Sequence, residues 1–185
     1  MTKAGFVSLI GAPNAGKSTL MNTMIGQKVS IVTPKVQTTR SCIRGIAMKD
    51  ESQVIFVDTP GIFQPKRRLD RAMVSAAWQG AGDSDVIMLV HDVARSKIDD
   101  DTQRILDGLK ENGTKAALVL NKIDLVRPER LLARAEEMSA QVDFSRVFML
   151  SAENGKGCED FLSWLADQMP KSPYLFDPED LSDMP

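Results

Sequence analysis

The stretch "LIGAPNAGKSTLMN", Leu9 to Asn22, decides how the rest of the chain is read. It satisfies G-x-x-x-x-G-K-[ST] through Gly11, Gly16, Lys17 and Ser18, and it directly follows the apolar run "FVSLI" at 6–10. A strand that breaks into a glycine-rich loop and then a helix lets successive backbone N–H groups converge on phosphate oxygens, with the helix dipole behind them. On this reading Gly11, Ala12, Pro13, Asn14, Ala15, Gly16, Lys17, Ser18 and Thr19 wrap a phosphate chain. Lys17 reaches the β- and γ-phosphates, and the Ser18 hydroxyl holds Mg²⁺. A glycine turn that matches by chance would not carry the correct strand and helix on its flanks. The base attached to the phosphates is still open.

Outward from this loop, short apolar runs recur: "VIFVD" at 54–58, "DVIMLVHD" at 85–92, "KAALVLN" at 115–121 and "RVFML" at 146–150. Near-continuous hydrophobicity is what strands covered on both faces require, so a mostly parallel sheet is expected. Helical patterns lie between the strands. Leu20, Met24 and Ile25 form one, and Ile105, Leu106 and Leu109 form another, opened by Asp99, Asp100 and Asp101. That acidic triplet is read as neutralising a positive helix end rather than binding metal. Pro128 with Leu131, Leu132, Ala135 and Met138 marks a third, and "CEDFLSWLADQM" before Pro170 a fourth. The expected architecture is α/β: a P-loop three-layer α/β/α fold with a six-stranded, mostly parallel sheet. One antiparallel edge strand, "SCIRGIAMKD", pairs with "SQVIFVD" as a hairpin. Residues 171–185, "KSPYLFDPEDLSDMP", have the proline-rich, acidic composition of a linker.

The chain has 185 residues, enough for one domain, and its 23 basic and 25 acidic residues leave a net charge of −2. Nucleic-acid binding through bulk electrostatics needs a concentrated positive surface and is not favoured. Cys42 and Cys158 are too few for a disulfide framework, which suits a reducing cytoplasm. No run approaches the length of a membrane span, and a peripheral membrane contact has no support in the sequence.

Three later motifs identify the ligand. "DTPG", Asp58, Thr59, Pro60 and Gly61, ends a strand: Asp58 meets the magnesium shell and the Gly61 N–H meets a γ-phosphate, with Ile62 following. "NKID" runs from Asn121 to Asp124. A buried Asp124 carboxylate accepts from the N1–H and the exocyclic amine of guanine, a pair of donors that adenine lacks. Asn121 ties the loop, and the Lys122 stem lies against the purine face. In "SAENGKG", Ser151 braces a loop whose Ala152 N–H points at guanine O6. Within "IVTPKVQTTR", Thr39, with Thr38 the less favoured alternative, completes the Mg²⁺ shell when triphosphate is bound. His91 is read as a packed or surface histidine rather than a base, Trp78 and Trp164 as core anchors, and "PKRRLDR" at 65–71 as a solvated helix start in preference to an interaction patch.

The order "GAPNAGKS", "TTR", "DTPG", "NKID", "SA" resembles the small GTPase superclass over residues 5–169. More narrowly, "KVSIVTPKVQTTR", "DTPGIF" and the tail resemble the Era family of bacterial GTPases. Two related families, the tRNA-modifying MnmE and the double-domain EngA, typically carry Asp after the switch arginine, where Ser41 follows Arg40 here. The resemblance implies a cytoplasmic, monomeric GTPase switch that uses GTP, GDP and Mg²⁺ in small-subunit ribosome assembly, with a C-terminal KH domain that binds 16S rRNA. Residues 1–170 are then the G domain and 171–185 the linker toward a KH domain that this chain lacks, so rRNA binding belongs to the longer protein. Ras-like enzymes orient the attacking water with a glutamine where this chain has Ile62, which cannot hydrogen-bond. Relatives with that substitution and a P-loop asparagine resemble potassium-activated GTPases. The implied catalytic set is therefore Lys17, Asn14, Thr39 and Gly61, with Asn14 a K⁺ ligand. Arg40 as a finger in cis is the weaker reading. The rivals are a nucleotide-gated binding module with negligible turnover, another potassium-activated GTPase, and an ATP-using P-loop enzyme.

Overall fold

The computed structural model describes residues 1–25, 37–38, 41–58 and 84–177, without the side chains at 37–38, 41–44 and 58. Seven strands form one sheet: β1 (Lys3–Ile10), β2 (Gln37–Thr38), β3 (Ser41–Lys49), β4 (Ser52–Asp58), β5 (Val86–Asp92), β6 (Ala117–Asn121) and β7 (Val147–Met149). Their order is β2-β3-β4-β1-β5-β6-β7. Six are the strands expected from the sequence. The seventh, two-residue β2, extends the edge by pairing Gln37 with Cys42 and Thr38 with Ser41. So short a segment leaves no hydrophobic period to read.

Strands β4, β1, β5, β6 and β7 run parallel to their neighbours, and β3 is antiparallel to β4, as the hairpin reading required. Its register shifts between Ile43 and Gly45. Gly45 belongs there because a Cβ would lie 2.0 Å from Ile25 Cδ1, so glycine admits the end of the first helix against the strand.

Among the described residues the α-helices are α1 (Lys17–Ile25), α2 (Asp100–Asn112), α3 (Pro128–Ser139) and α4 (Cys158–Gln168). Leu20 and Met24 of α1 and Phe161 and Leu165 of α4 bury one sheet face with Val7, Val54, Phe56 and Val119. On the other, Ile105, Leu106 and Leu109 of α2 and Leu131 and Met138 of α3 cover Ile10, Leu89, Leu118 and Leu120. Strands β1, β5 and β6 thus serve two cores, which explains their unbroken apolar runs.

Helix α2 starts where the acidic triplet placed it. Asp99 is the N-cap, its carboxylate accepting from the Thr102 N–H at 2.7 Å, with Asp100 and Asp101 in the first turn. Burial pushes the Asp99 carboxyl up, but the hydrogen bonds from Thr102 and the charge of Arg95 outweigh it and hold the group below its usual range. The α3 stripe needs one correction: Leu132 is 59% exposed, and the buried face is Leu131, Arg134 and Met138. Leu131, Arg134 and Met138 share a face by their three- and four-residue spacing, which turns Leu132 outward. Trp164 packs at the rim of its core, edge-on to Phe148 at 5.2 Å, as the packed reading anticipated. Trp78 and residues 65–71 lie outside the described residues.

The first residues of the proline-rich tail are packed onto the sheet. Lys171 bridges to Lys3, and the Ser172 N–H donates to the Thr2 carbonyl at 3.2 Å. Gln53, fully buried in β4, accepts from the Leu175 and Phe176 N–H groups at 3.0 and 3.1 Å and donates to the Phe176 carbonyl at 2.9 Å. The Phe176 ring covers Ile46, Ile55 and Val57 beside Phe6. Among the described residues no helix is long and apolar enough to cross a membrane.

Candidate nucleotide site

The chain leaves β1 toward β4 on one side and later toward β5 on the other, so the strand order reverses at β1. Open α/β sheets hold ligands in the crevice at the carboxyl end of such a strand. Gly11 to Gly16 occupy that position, and the carboxyl ends of β5 (Asp92), β6 (Asn121) and β7 (Met149) stand along the same edge. Strand β4 ends at Asp58, one residue past Val57, which lies level with Ser8 of β1. The backbone of Asp58 is thereby brought to the edge where the loop begins.

The loop is held in a shape that only its own residues fit. Gly16 has φ 97°, and a Cβ there would meet Asn121 Nδ2 at 2.2 Å. At Gly11 a Cβ would meet the Val90 carbonyl at 2.5 Å. Asn14 has φ 65°, a left-handed conformation that asparagine accepts more readily than most residues. Ala12 and Ala15 are buried, whereas Pro13, Asn14, Ser18 and Thr19 are exposed at the mouth. Ser18 lies in the first turn of α1, where N–H groups have no intrahelical acceptor and the dipole favours an anion. The Lys17 ammonium donates to the Gly11 carbonyl across the loop.

Asn121 does more than the sequence reading gave it. Fully buried, it donates from Nδ2 to the Ala15 carbonyl at 2.9 Å, and its Oδ1 accepts from the Lys122 N–H at 2.8 Å and the Ala152 N–H at 3.0 Å. One carboxamide therefore joins the phosphate loop, the "NKID" loop and the "SA" loop. The Ala152 N–H, read from the sequence as aimed at guanine O6, is donated to Asn121. A buried side-chain oxygen 3.0 Å away supplies the acceptor that a buried amide requires. The Ala152 carbonyl accepts from the Thr23 hydroxyl of α1 at 2.6 Å. Ser151, fully buried, braces its loop as expected, its Oγ accepting from the Asn154 N–H at 3.3 Å. Cys158 approaches the Ser151 carbonyl, Sγ to O 3.6 Å, and burial pushes its thiol up.

Asp124 corrects another expectation. It sits in a 3₁₀ turn, Ile123–Leu125, and is exposed rather than buried. The turn follows Lys122, at φ 68°, which swings the chain out from the sheet edge and sets the carboxylate at the rim. Thr39, Arg40, Thr59, Pro60, Gly61 and Ile62 lie outside the described residues, as do the side chains of Cys42 and Asp58.

Three residues of the site's surroundings had no motif to announce them. Asp92 ends β5 and pairs through Oδ2 with Lys122 Nζ at 2.9 Å. Arg95 reaches the Pro13 carbonyl at 3.5 Å and pairs with Asp99 at 3.2 Å. Arg134, buried in α3, donates to the Arg95 carbonyl at 3.0 Å and stands 2.6 Å from His91 Nε2. Arginine only donates, so Nε2 accepts and the His91 proton sits on Nδ1. Of the packed and surface alternatives for His91 the structure selects the packed one, since it is 1% exposed.

Burial, reinforced by the Arg134 charge, lowers His91 from 6.5 to about 4. The unfolded chain thus takes up a proton near pH 6.5 that the folded chain refuses until about pH 4. Stability from this group is complete above pH 6.5 and is lost as pH falls through that window, by about 3 kcal/mol in all. Thermal melts between pH 7 and pH 4 are expected to show this loss. His91→Gln, which keeps an acceptor for Arg134, is expected to remove most of the slope.

With this geometry established, comparison with known proteins defines the class. The family described as 50S ribosome-binding GTPase matches residues 6–122, and the chain belongs to it. Within that class the chain is similar over its whole length to GTPase Era of Sinorhizobium medicae, 54% identical over 184 residues, and to GTPase Era of Brucella melitensis, 51% identical. It spans 59% of the length of either relative. Among solved structures, Aquifex aeolicus Era bound to GDP and AlF4⁻ matches all of this chain and 63% of its own, at 32% identity and a TM-score of 0.75. A structure of Era with MgGDPNP and nucleotides 1506–1542 of 16S ribosomal RNA matches equally, with a TM-score of 0.76. The G domain of the Thermotoga maritima FeoB transporter, at 22% identity and a TM-score of 0.62, shares the fold.

Proposed function

We propose that this chain is the guanine-nucleotide switch of an Era-type protein, binding GTP at the carboxyl edge of the sheet and hydrolysing it to GDP and phosphate. The observation that carries the reading is the Asn121 carboxamide, which joins the phosphate loop to the two loops that would enclose a guanine. A binding site divided among three loops needs them in fixed register, and this residue supplies it. Glycine at 11 and 16 lets the loop close against the Val90 carbonyl and the Asn121 carboxamide, which holds its backbone in that register.

Within this reading the phosphate loop and the α1 N-terminus hold the polyphosphate, Lys17 turns to the β- and γ-phosphates, and Asp124 reads the base edge. Ser18, Thr39 and Asp58 would hold Mg²⁺, and Asn14 would hold K⁺. The exposed position of Ser18 at the head of α1 and of Asn14 at the mouth fits both. Bound there, the two cations would neutralise charge that develops on the phosphate oxygens. The Gly61 N–H would meet the γ-phosphate, and an isoleucine at position 62 has no side-chain group to orient the attacking water. In the longer protein, 16S rRNA and the small ribosomal subunit are the partners, in the cytoplasm, with the G domain acting as a monomer.

Phosphate release by the chain, preloaded with GTP and Mg²⁺, tests both the reaction and the cation. Turnover is expected, and single-turnover hydrolysis is expected to be at least about tenfold faster in K⁺ than in Na⁺. Equal rates would remove Asn14 from the cation's coordination, and GTP binding without release would make the domain a nucleotide-gated binding module.

A further inference from the structure

We infer that Asp92 is a positioning residue for guanine-nucleotide affinity, acting through Lys122. The inference rests on the guanine-pocket reading above and adds to it a residue that no motif contains. Lys122 follows β6 with φ 68°, and its ammonium lies 2.9 Å from Asp92 Oδ2 and 3.1 Å from the Asn14 carbonyl. Its Cε is 4.0 Å from where a Cβ on Gly16 would sit. The four methylenes are therefore drawn from the base-side loop over the phosphate loop and fastened at the far end. A lysine stem is a poor platform while its rotamers are free and a good one once its head is held.

Asp92 is built for that task. It stands opposite Asn121 in the β5–β6 ladder, and its side chain is 12% exposed against 33% for Lys122. Its other oxygen, Oδ1, accepts from the Ala94 N–H at 2.9 Å, which fixes the carboxylate plane. Both carboxylate oxygens are thus committed, one to the backbone and one to the ammonium. Replacement by asparagine cannot serve both. With Oδ1 kept on Ala94, the second position becomes an NH₂ facing an ammonium, donor against donor. The same ammonium also draws on the carbonyl of Asn14, so its release would loosen the left-handed residue at the mouth of the loop as well.

The test is nucleotide affinity on the 185-residue chain, for GDP and for IDP, which lacks the exocyclic amine. Asp92→Asn is expected to weaken GDP about tenfold, the scale of one lost charge-assisted contact of partial burial. It should weaken IDP by the same factor, because a platform under the ring does not read the amine. In a Lys122→Met background the same Asp92→Asn change is expected to cost nothing further, since no ammonium remains to be held. Asp92→Glu, which keeps the charge, should recover most of the affinity. An unchanged GDP affinity in Asp92→Asn, an equal loss in both backgrounds, or no recovery by Asp92→Glu would each overturn the inference. Equal loss would reduce Asp92 to a structural part of the loop. A folded wild-type chain that fails to bind GDP would remove the guanine-pocket reading itself, and this inference with it.

Discussion

Asp124→Asn is expected to lower GDP and GTP affinity by at least about 100-fold while raising affinity for xanthine nucleotides. On the proposed reading the carboxylate would accept two hydrogen bonds, from the guanine N1–H and exocyclic amine. An asparagine there places an NH₂ where the exocyclic amine needs an acceptor. Xanthine carries a carbonyl at that carbon and accepts from the new amide. The effect is large because a bound base would cover the Asp124 side chain, and the mismatch would then leave polar groups facing each other without a partner. It should also be confined to specificity. Asp124 is exposed in a short turn whose closing bond, from the Leu125 N–H to the Lys122 carbonyl at 3.0 Å, involves only backbone. Surface substitutions away from caps and networks change stability by only about 0.5 kcal/mol, so the thermal midpoint should barely move. Calorimetric titration with GDP, XDP and ADP checks the result. A site that used ATP would show no loss of preference.

Asn121→Ala is expected to abolish measurable nucleotide binding and to destabilise the folded chain by about 3 kcal/mol. Here the two consequences have one cause. The substitution removes three hydrogen bonds at once and leaves the buried Ala152 N–H and the Ala15 carbonyl without their partner. Buried groups deprived of a partner each cost about 1–3 kcal/mol. The register between the phosphate loop and the two base-side loops is lost together with them. Asn121→Asp, isosteric but without the Nδ2 donor, is expected to retain the Lys122 and Ala152 bonds and to lose the Ala15 bond. Chemical denaturation and fluorescent-GDP titration on both variants measure the two effects separately, and the aspartate variant should fall between wild type and alanine in each.

The difference between these two residues says why part of the site was legible from sequence and part was not. Gly11, Gly16, Lys17 and Asn121 belong to spacings that chemistry imposes locally, and each appears where its motif places it. The strands were legible for a similar reason, since burial on two faces writes itself into consecutive residues such as Val54 to Val57. Asp92, Arg95 and Arg134 carry no spacing at all. They meet Lys122, Pro13 and His91 across 30, 82 and 43 residues of chain, so only the folded topology brings them together. Arg134 even falls on the apolar face of its helix, where periodicity expects a hydrophobe. Leu132 was placed on that face by type and stands outside it by angle. The burial of Asp124 was misjudged because a residue's chemistry says what it should touch, whereas the left-handed turn at Lys122 sets how far out it stands.

The packing of Leu175 and Phe176 against β4 has a practical consequence for where this folding unit ends. A cut at Pro170, the last residue before the linker-like composition, would strip the aromatic cover from Ile46, Ile55 and Val57 and leave the Gln53 carboxamide buried without three of its partners. A fragment that keeps this cover is expected to need residues through at least Phe176, which thermal melts of chains ending at 170 and at 177 would check. Any polypeptide continuing past Asp177 departs from a fixed berth on β4, the strand that terminates at Asp58, rather than from a swinging tether behind α4. A reporter fused directly after Asp177 would therefore start from beside β4 and not from the end of α4.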